Sequence, residues 1–280
     1  MKLRLGAAAI LAAALTPLSV VTTTPSPASA GVDTTPPAIG SCFNLTYDEI
    51  RGVSSDKAPV DCSTRHTTLT FDIVEFEVPP DWNDEDSYVG EIYGQCNPSW
   101  IEVLGGDPRK IVRSAYTYHW LLPTPVQREA GAAWVRCELT LAGGARTVPL
   151  PESVRLRRLP LPASIARCSE GARGDFRATA CSRPHQWRAT HSPAVRSQRW
   201  RGADKIQQLA LDACRRELPR GTIRYSWPSS QYWWRLGFRY AVCYQRDADR
   251  KAARAEEQVT RPAPRNSVTW DTLAGHQRRR

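Results

Sequence analysis

Two histidines occupy the same short setting beside a cysteine. Cys62-Ser63-Thr64-Arg65-His66 and Cys181-Ser182-Arg183-Pro184-His185 both read C-S-x-x-H. Those residue types can ligate a metal, or can run a thiolate nucleophile activated by an imidazole. Both chemistries need an ionised sulfur. Structural zinc sites usually offer cysteines at C-x2-4-C spacing, which this chain lacks, and a sulfur committed to a disulfide cannot be a thiolate. His66 and His185 are therefore expected to be structural, each bonding the backbone of its turn. Neither metal nor cofactor is expected.

Other catalytic signatures fare no better. The chain has no G-x-S-x-G, no H-E-x-x-H and no phosphate-binding glycine loop. Asp81, Asp84, Glu85 and Asp86 could supply paired carboxylates for glycoside hydrolysis. Their run, Pro-Asp-Trp-Asn-Asp-Glu-Asp, reads instead as a solvated loop opening a helix, whose amino end favours negative charge. No catalytic residue is expected. The functional lead is arginine interleaved with aromatic side chains, in Trp187, Arg188, Arg199, Trp200 and Arg201 and again in Trp233, Trp234 and Arg235. Guanidinium groups beside aromatic faces bind polyanions or sugars. The competing expectation is that the tryptophans fill a core while the arginines solvate it or meet an acidic surface of the same chain.

Where such a surface would act follows from the amino end. Lys2 and Arg4 precede an apolar run that Ala28-Ser29-Ala30 closes with small residues, the pattern of a secretory signal cleaved after Ala30. No later stretch approaches the roughly 20 apolar residues of a spanning helix. All eight cysteines lie beyond residue 30, and an even number in an exported chain reads as disulfides. Charge is divided. Residues 31–150 carry 9 basic and 17 acidic side chains, a balance of −8, whereas residues 151–280 carry 27 and 11, a balance of +16. Such asymmetry suggests halves that attract each other, or a basic half that meets an anionic partner.

The elements that must position these residues follow from a repeat. From Cys62 to Cys96 there are 33 intervening residues and from Cys181 to Cys214 there are 32. Gly131, Trp134 and Cys137 recur as Gly237, Tyr240 and Cys243, with Pro123 and Pro228 ahead of them. We therefore expect two tandem four-cysteine domains, 31–142 and 164–246, joined by a Pro/Arg-rich linker over 143–163 and followed by a disordered charged tail over 247–280. Residues 68–78 alternate as a strand does. Val89, Ile92, Tyr93 and Cys96, like Ile206, Leu209, Ala210, Ala213 and Cys214, fall on one helical face. Residues 110–122, 222–227, 134–141 and 239–245 read as extended. The fold class is α+β, each domain a small, mainly antiparallel sheet with a helix on one face. Sequence allows three connectivities per domain. A helix lying across the sheet favours Cys96 with Cys137 and Cys214 with Cys243, leaving Cys42 with Cys62 and Cys168 with Cys181.

These residues resemble the septum-formation domain family, secreted or membrane-anchored modules of high-GC Gram-positive bacteria. The resemblance rests on Gly40-Ser41-Cys42-Phe43, on Val60-Asp61-Cys62-Ser63 with His66, on a helix holding Cys96, and on Trp120, Pro123, Gly131 and Cys137. The second copy repeats it from Cys168 to Cys243. An acidic residue that the family often has three positions after the histidine is replaced by Leu69 and Arg188. The resemblance implies a role at the cell envelope or septum and no known reaction. The expectation is a secreted, non-enzymatic binding protein whose partner is an anionic wall polymer, a glycan or an envelope protein rather than nucleic acid, since export shifts the partner to the envelope. A secreted hydrolase is the alternative.

Overall fold

The computed structural model describes residues 31–171, 176–218, 223–246 and 267–269. The segment expected to be a secretory signal, 1–30, and most of the expected tail, 247–280, lie outside the described residues. In the first half, β1 (Cys42–Phe43), β2 (Thr68–Glu75), β3 (Tyr116–Leu121) and β4 (Trp134–Leu141) form one sheet in the order β1-β2-β4-β3, every pair antiparallel. The helix α2 (Val89–Val103) packs on it through Ile92, Cys96 and Trp100. In the second half, β5 (Arg167–Glu170), β6 (Arg177–Ala180), β7 (Trp187–His191), β8 (Arg224–Trp227), β9 (Val242–Arg246) and β10 (Ser267–Thr269) form a sheet in the order β10-β8-β9-β7-β5-β6. Among the described strands of this sheet, only the β10–β8 pair is parallel. The helix α5 (Ala203–Glu217) buries Ile206, Ala210, Ala213 and Cys214.

Short helices appear where the sequence supplies caps. Thr46 and Glu49 form a capping box for α1 (Tyr47–Arg51), and Thr124 and Gln127 form another for α4 (Pro125–Glu129). The one-turn helix α3 (Pro108–Ile111) begins with Asp107 as cap and Pro108 at its first position. Lys110 and Ile111, expected to be extended, therefore belong to α3, and the strand starts only at Tyr116. Asp84 caps a 3-10 turn, Glu85–Ser87, that leads into α2, so the acidic run does open a helix. Ser230 caps α6 (Gln231–Arg235).

Register ties the halves together residue by residue. Cys42 and Phe43 pair with positions three and two after His66, while Cys168 and Ser169 pair with positions three and two after His185. A β-bulge interrupts β2 between Thr70 and Asp72, and another interrupts β7 between Ala189 and His191. Each lies between the fourth and sixth residue after its histidine. Trp120 is opposite Cys137, and Tyr225 is opposite Cys243. Gly131 and Gly237, six residues before the last cysteine of each set, both hold positive φ, at 93° and 88°, a conformation that glycine adopts without strain.

All eight cysteines are paired, as Cys42–Cys62, Cys96–Cys137, Cys168–Cys181 and Cys214–Cys243. This is the pairing expected from a helix lying over the last strand. The main core crosses from one half to the other, joining Trp100, Tyr118 and Leu139 with Trp187, Trp233, Phe238 and Tyr244. Main-chain bonds also cross, from Ala115 N to Ile165 O, Arg167 N to Arg113 O and Ala180 N to Ala142 O, each at 2.8 Å. The connecting segment is anchored rather than loose. Val148, Leu150 and Leu156 are buried, Leu150 N donates to His66 O at 3.0 Å, and Leu156 N donates to Leu104 O at 2.9 Å.

Candidate anion-binding site

Both motif histidines are buried, at 5 % and 6 % exposure. His66 Nδ1 lies 2.9 Å from Thr64 O, and His185 Nδ1 lies 2.7 Å from Arg183 O. A ring nitrogen facing a carbonyl carries the proton, so each imidazole closes its own turn. Cys168, Cys181 and His185 have donor atoms within 4.8 Å of one another, a spacing a metal could use. The two sulfurs are bonded to each other, so this cluster presents no thiolate.

The arginines and tryptophans of the second half separate into three places. Trp233 faces the first half, with its ring 6.2 Å from Trp100 and 5.2 Å from Phe238. Trp234 is buried beside half-buried Trp200, with ring centres 6.1 Å apart, and Arg239 lies over it at 5.4 Å. Arg199, Arg201 and Arg235 are exposed. Trp187 is buried on the face of β7 that meets the shared core, with the Arg224 guanidinium 4.5 Å from its ring. Trp187, Trp233 and Trp234 are thus core residues and do not offer open faces, because an indole buries too much apolar area to be left in water when a core is available. Arg188, next to Trp187 in β7, points the other way, and it lines a cleft.

That cleft, of about 220 Å³, is walled by Arg113, Pro160, Leu161, Ala166, Arg188, Ala189 and Thr190. It lies where the approach to β3, the end of the connector and β7 come together. Among the described residues lining it there are two arginines and no carboxylate. Burial, and then the charge of Arg109, pull the Arg113 guanidinium below its ordinary range, and Arg113 Nε is buried without a hydrogen-bond partner. Thr190 Oγ1 lies 3.0 Å from His191 Nδ1. Behind the wall, Arg167 is 2 % exposed and its Nε donates to Ser114 O at 2.7 Å. Arg224 is buried between the rings of Trp187 and Phe176, the latter at 5.7 Å. Burial lowers both arginines from their usual range, opposed at Arg167 by Tyr244. Arginine stays charged in proteins, so Arg113 and Arg188 leave a positive potential in the cleft.

The first sheet holds the opposite arrangement on its face away from α2. Arg136 and Glu138 flank Cys137 in β4, at 3 % and 0 % exposure, with Arg136 Nε 3.5 Å from Glu138 Oε1. Thr70 Oγ1 donates to Glu138 Oε1 at 2.6 Å, and Phe43 covers Arg136 at 4.3 Å. Burial raises the Glu138 carboxyl above its usual range while Arg136 and Thr70 oppose the rise. Phe43, which covers Arg136, packs in turn with Leu45, Ile50 and Leu121.

Sequence reading reached Arg188 but not Arg113, Arg167, Arg224, Arg136 or Glu138. The signal for the last two was present as charges alternating with Val135, Cys137 and Leu139 in a segment apolar enough to be a central strand. Nothing local marks Arg113, which joins the cleft only through contacts distant in sequence. Among the described residues no helix is long and apolar enough to cross a membrane. No curated protein and no solved structure matches the chain. The model of the family described as septum formation matches residues 39–243, spanning both four-cysteine sets and the cleft between them, and the chain belongs to the septum formation family.

Proposed function

We propose that this is an exported, non-enzymatic binding protein of the cell envelope, acting in or near septum formation, built from two copies of one four-cysteine module. Removal of the signal after Ala30 releases a chain that stays outside the membrane and binds an anionic envelope polymer through its basic second half. The observation that carries the binding is the charge division, −8 before residue 150 and +16 after it, together with the exposure of Arg196, Arg199, Arg201, Arg215, Arg216 and Arg235. Exposed arginines on a folded surface attract polyanions at long range. Support for the duplication comes from the shared register, with the bulge, the positive-φ glycine and both disulfides recurring at matched positions.

Sedimentation with purified cell wall at two salt concentrations tests the binding. Pelleting that falls steeply between about 50 and 300 mM salt is expected, because ionic contacts between exposed groups are screened within about 10 Å at 0.1 M. Salt-insensitive pelleting with release of soluble sugar would point instead to a hydrolase.

A further inference from the structure

We propose that the cleft at the junction of the halves is a binding site for one phosphate ester group, held between Arg113 and Arg188 with its carbon carrier against Pro160, Leu161, Ala166 and Ala189. This rests on the envelope-binding reading for its biological source, but the chemistry stands on the cleft alone. Two arginines line it from chain segments 75 residues apart in sequence. A phosphate ester offers non-bridging oxygens in different planes, so both forks can bond it bidentately, whereas the two coplanar oxygens of a carboxylate serve one fork well. Arg113 Nε is a buried donor without a partner, and leaving such a donor unmet costs about 1–3 kcal/mol. The described walls contribute no acid to repel an anion. Exposed Arg109, Arg157 and Arg158 on the adjoining segments add to the attraction at the entrance, and the remaining apolar wall suits a short polyol or sugar carbon chain rather than a bare ion.

Titration calorimetry on the exported protein, with glycerol 3-phosphate, inorganic phosphate, acetate, a poly(glycerol phosphate) and vesicles containing phosphatidylglycerol, tests the assignment. Saturable binding of glycerol 3-phosphate is expected, with acetate at least about tenfold weaker, since charge-assisted bidentate pairs supply the discrimination. Preference for the soluble polymer over vesicles identifies a wall polymer as the source of the ester, and the reverse identifies a lipid headgroup. Arg113→Gln and Arg188→Gln should each weaken glycerol 3-phosphate binding at least about tenfold. Leu161→Trp, which keeps both guanidiniums and fills the cleft, should abolish it. Thermal unfolding confirms that each variant is folded. The joint variant Arg199→Gln/Arg235→Gln should weaken wall sedimentation and leave glycerol 3-phosphate binding unchanged. Absence of saturable binding, or full binding by Leu161→Trp, overturns the site while leaving salt-sensitive wall binding intact. Glycerol 3-phosphate binding without wall sedimentation overturns the envelope reading and leaves the cleft standing.

Discussion

At the scale of single residues, the buried pair Arg136 and Glu138 shows how this chain places charge where few proteins do. Glu138 is wholly buried, and its carboxylate form is favoured by Arg136 and by the hydroxyls of Thr70 and Thr68. Removing the guanidinium in Arg136→Met leaves an uncompensated charge, a loss of about 3–5 kcal/mol. The pH dependence has a definite sign. Because burial raises the folded-state pKa of Glu138 above its unfolded value, the stability linked to its proton is present below about pH 4.3 and lost as pH rises through the folded value. Without Arg136 that loss grows. The deficit of Arg136→Met relative to the native chain in urea unfolding should therefore be largest at pH 7 and shrink at pH 4.5, and a deficit independent of pH would refute the account. Glu49 behaves in the opposite way. A hydrogen bond from Lys57, then the Thr46 backbone N–H, pull its pKa down to about 2, so its contribution exists above the unfolded value and fades only as pH falls toward 2. Lys57→Met should return the Glu49 carboxyl toward the ordinary glutamate range in an NMR titration. Thr46→Ala removes a cap worth about 1 kcal/mol.

At the scale of elements, each half is held where a helix crosses its sheet. In the first half the bulge at Asp72 serves as a dock, with Gln95 of α2 donating to Asp72 Oδ1 at 3.1 Å and to Ile73 O at 2.7 Å. The bridges rank by the loops they close, which span 41, 29, 20 and 13 residues for Cys96–Cys137, Cys214–Cys243, Cys42–Cys62 and Cys168–Cys181. Loop-closure entropy assigns about 4 kcal/mol to the longest and about 3 kcal/mol to the shortest. Replacing Cys96 and Cys137 together by alanine should lower the urea midpoint most, and doing so at Cys168 and Cys181 least. These bridges and helices were legible in the sequence because both are encoded locally: cysteine order gave the pairing once a helical face ran through Cys96 and Cys214. The short helix α3 was not, since its signal is only Asp107 followed by Pro108, weaker than the β-rich stretch around it. The fate of Trp187, Trp233 and Trp234 was not legible either. Composition places arginine beside tryptophan, but whether an indole faces solvent or a core depends on what the other half supplies.

At the scale of the molecule, the question is what each half would be without the other. Trp100 stacks on Phe238 at 6.0 Å with planes 7° apart and meets Trp233 edge-on, while Tyr118 of the same core lies beside it. Polar groups seal the join. Asn97 in α2 donates to the Tyr232 hydroxyl at 3.0 Å and accepts from the Tyr118 hydroxyl, and Tyr232 donates in turn to Tyr93 O at 2.9 Å. Asn97 is wholly buried, so losing Tyr232 leaves its amide unmet as well as uncovering apolar rings. Trp100→Ala should cost about 3–5 kcal/mol, a large share of the margin of any domain this size. It should also loosen both halves at once. A chain cut into residues 33–150 and 151–246 exposes these rings on both pieces, and neither is expected to hold a fixed core, even with its disulfides intact. Hydrogen exchange on the separate pieces checks this: the slow amides of β4 and β9 should exchange quickly in each fragment and regain protection when the two are mixed. Fragments that retained those slow amides alone would mean that the modules are self-sufficient and only dock. The cleft between Arg113 and Arg188 would then open and close with the docking, so that phosphate ester binding would depend on how firmly the halves are joined.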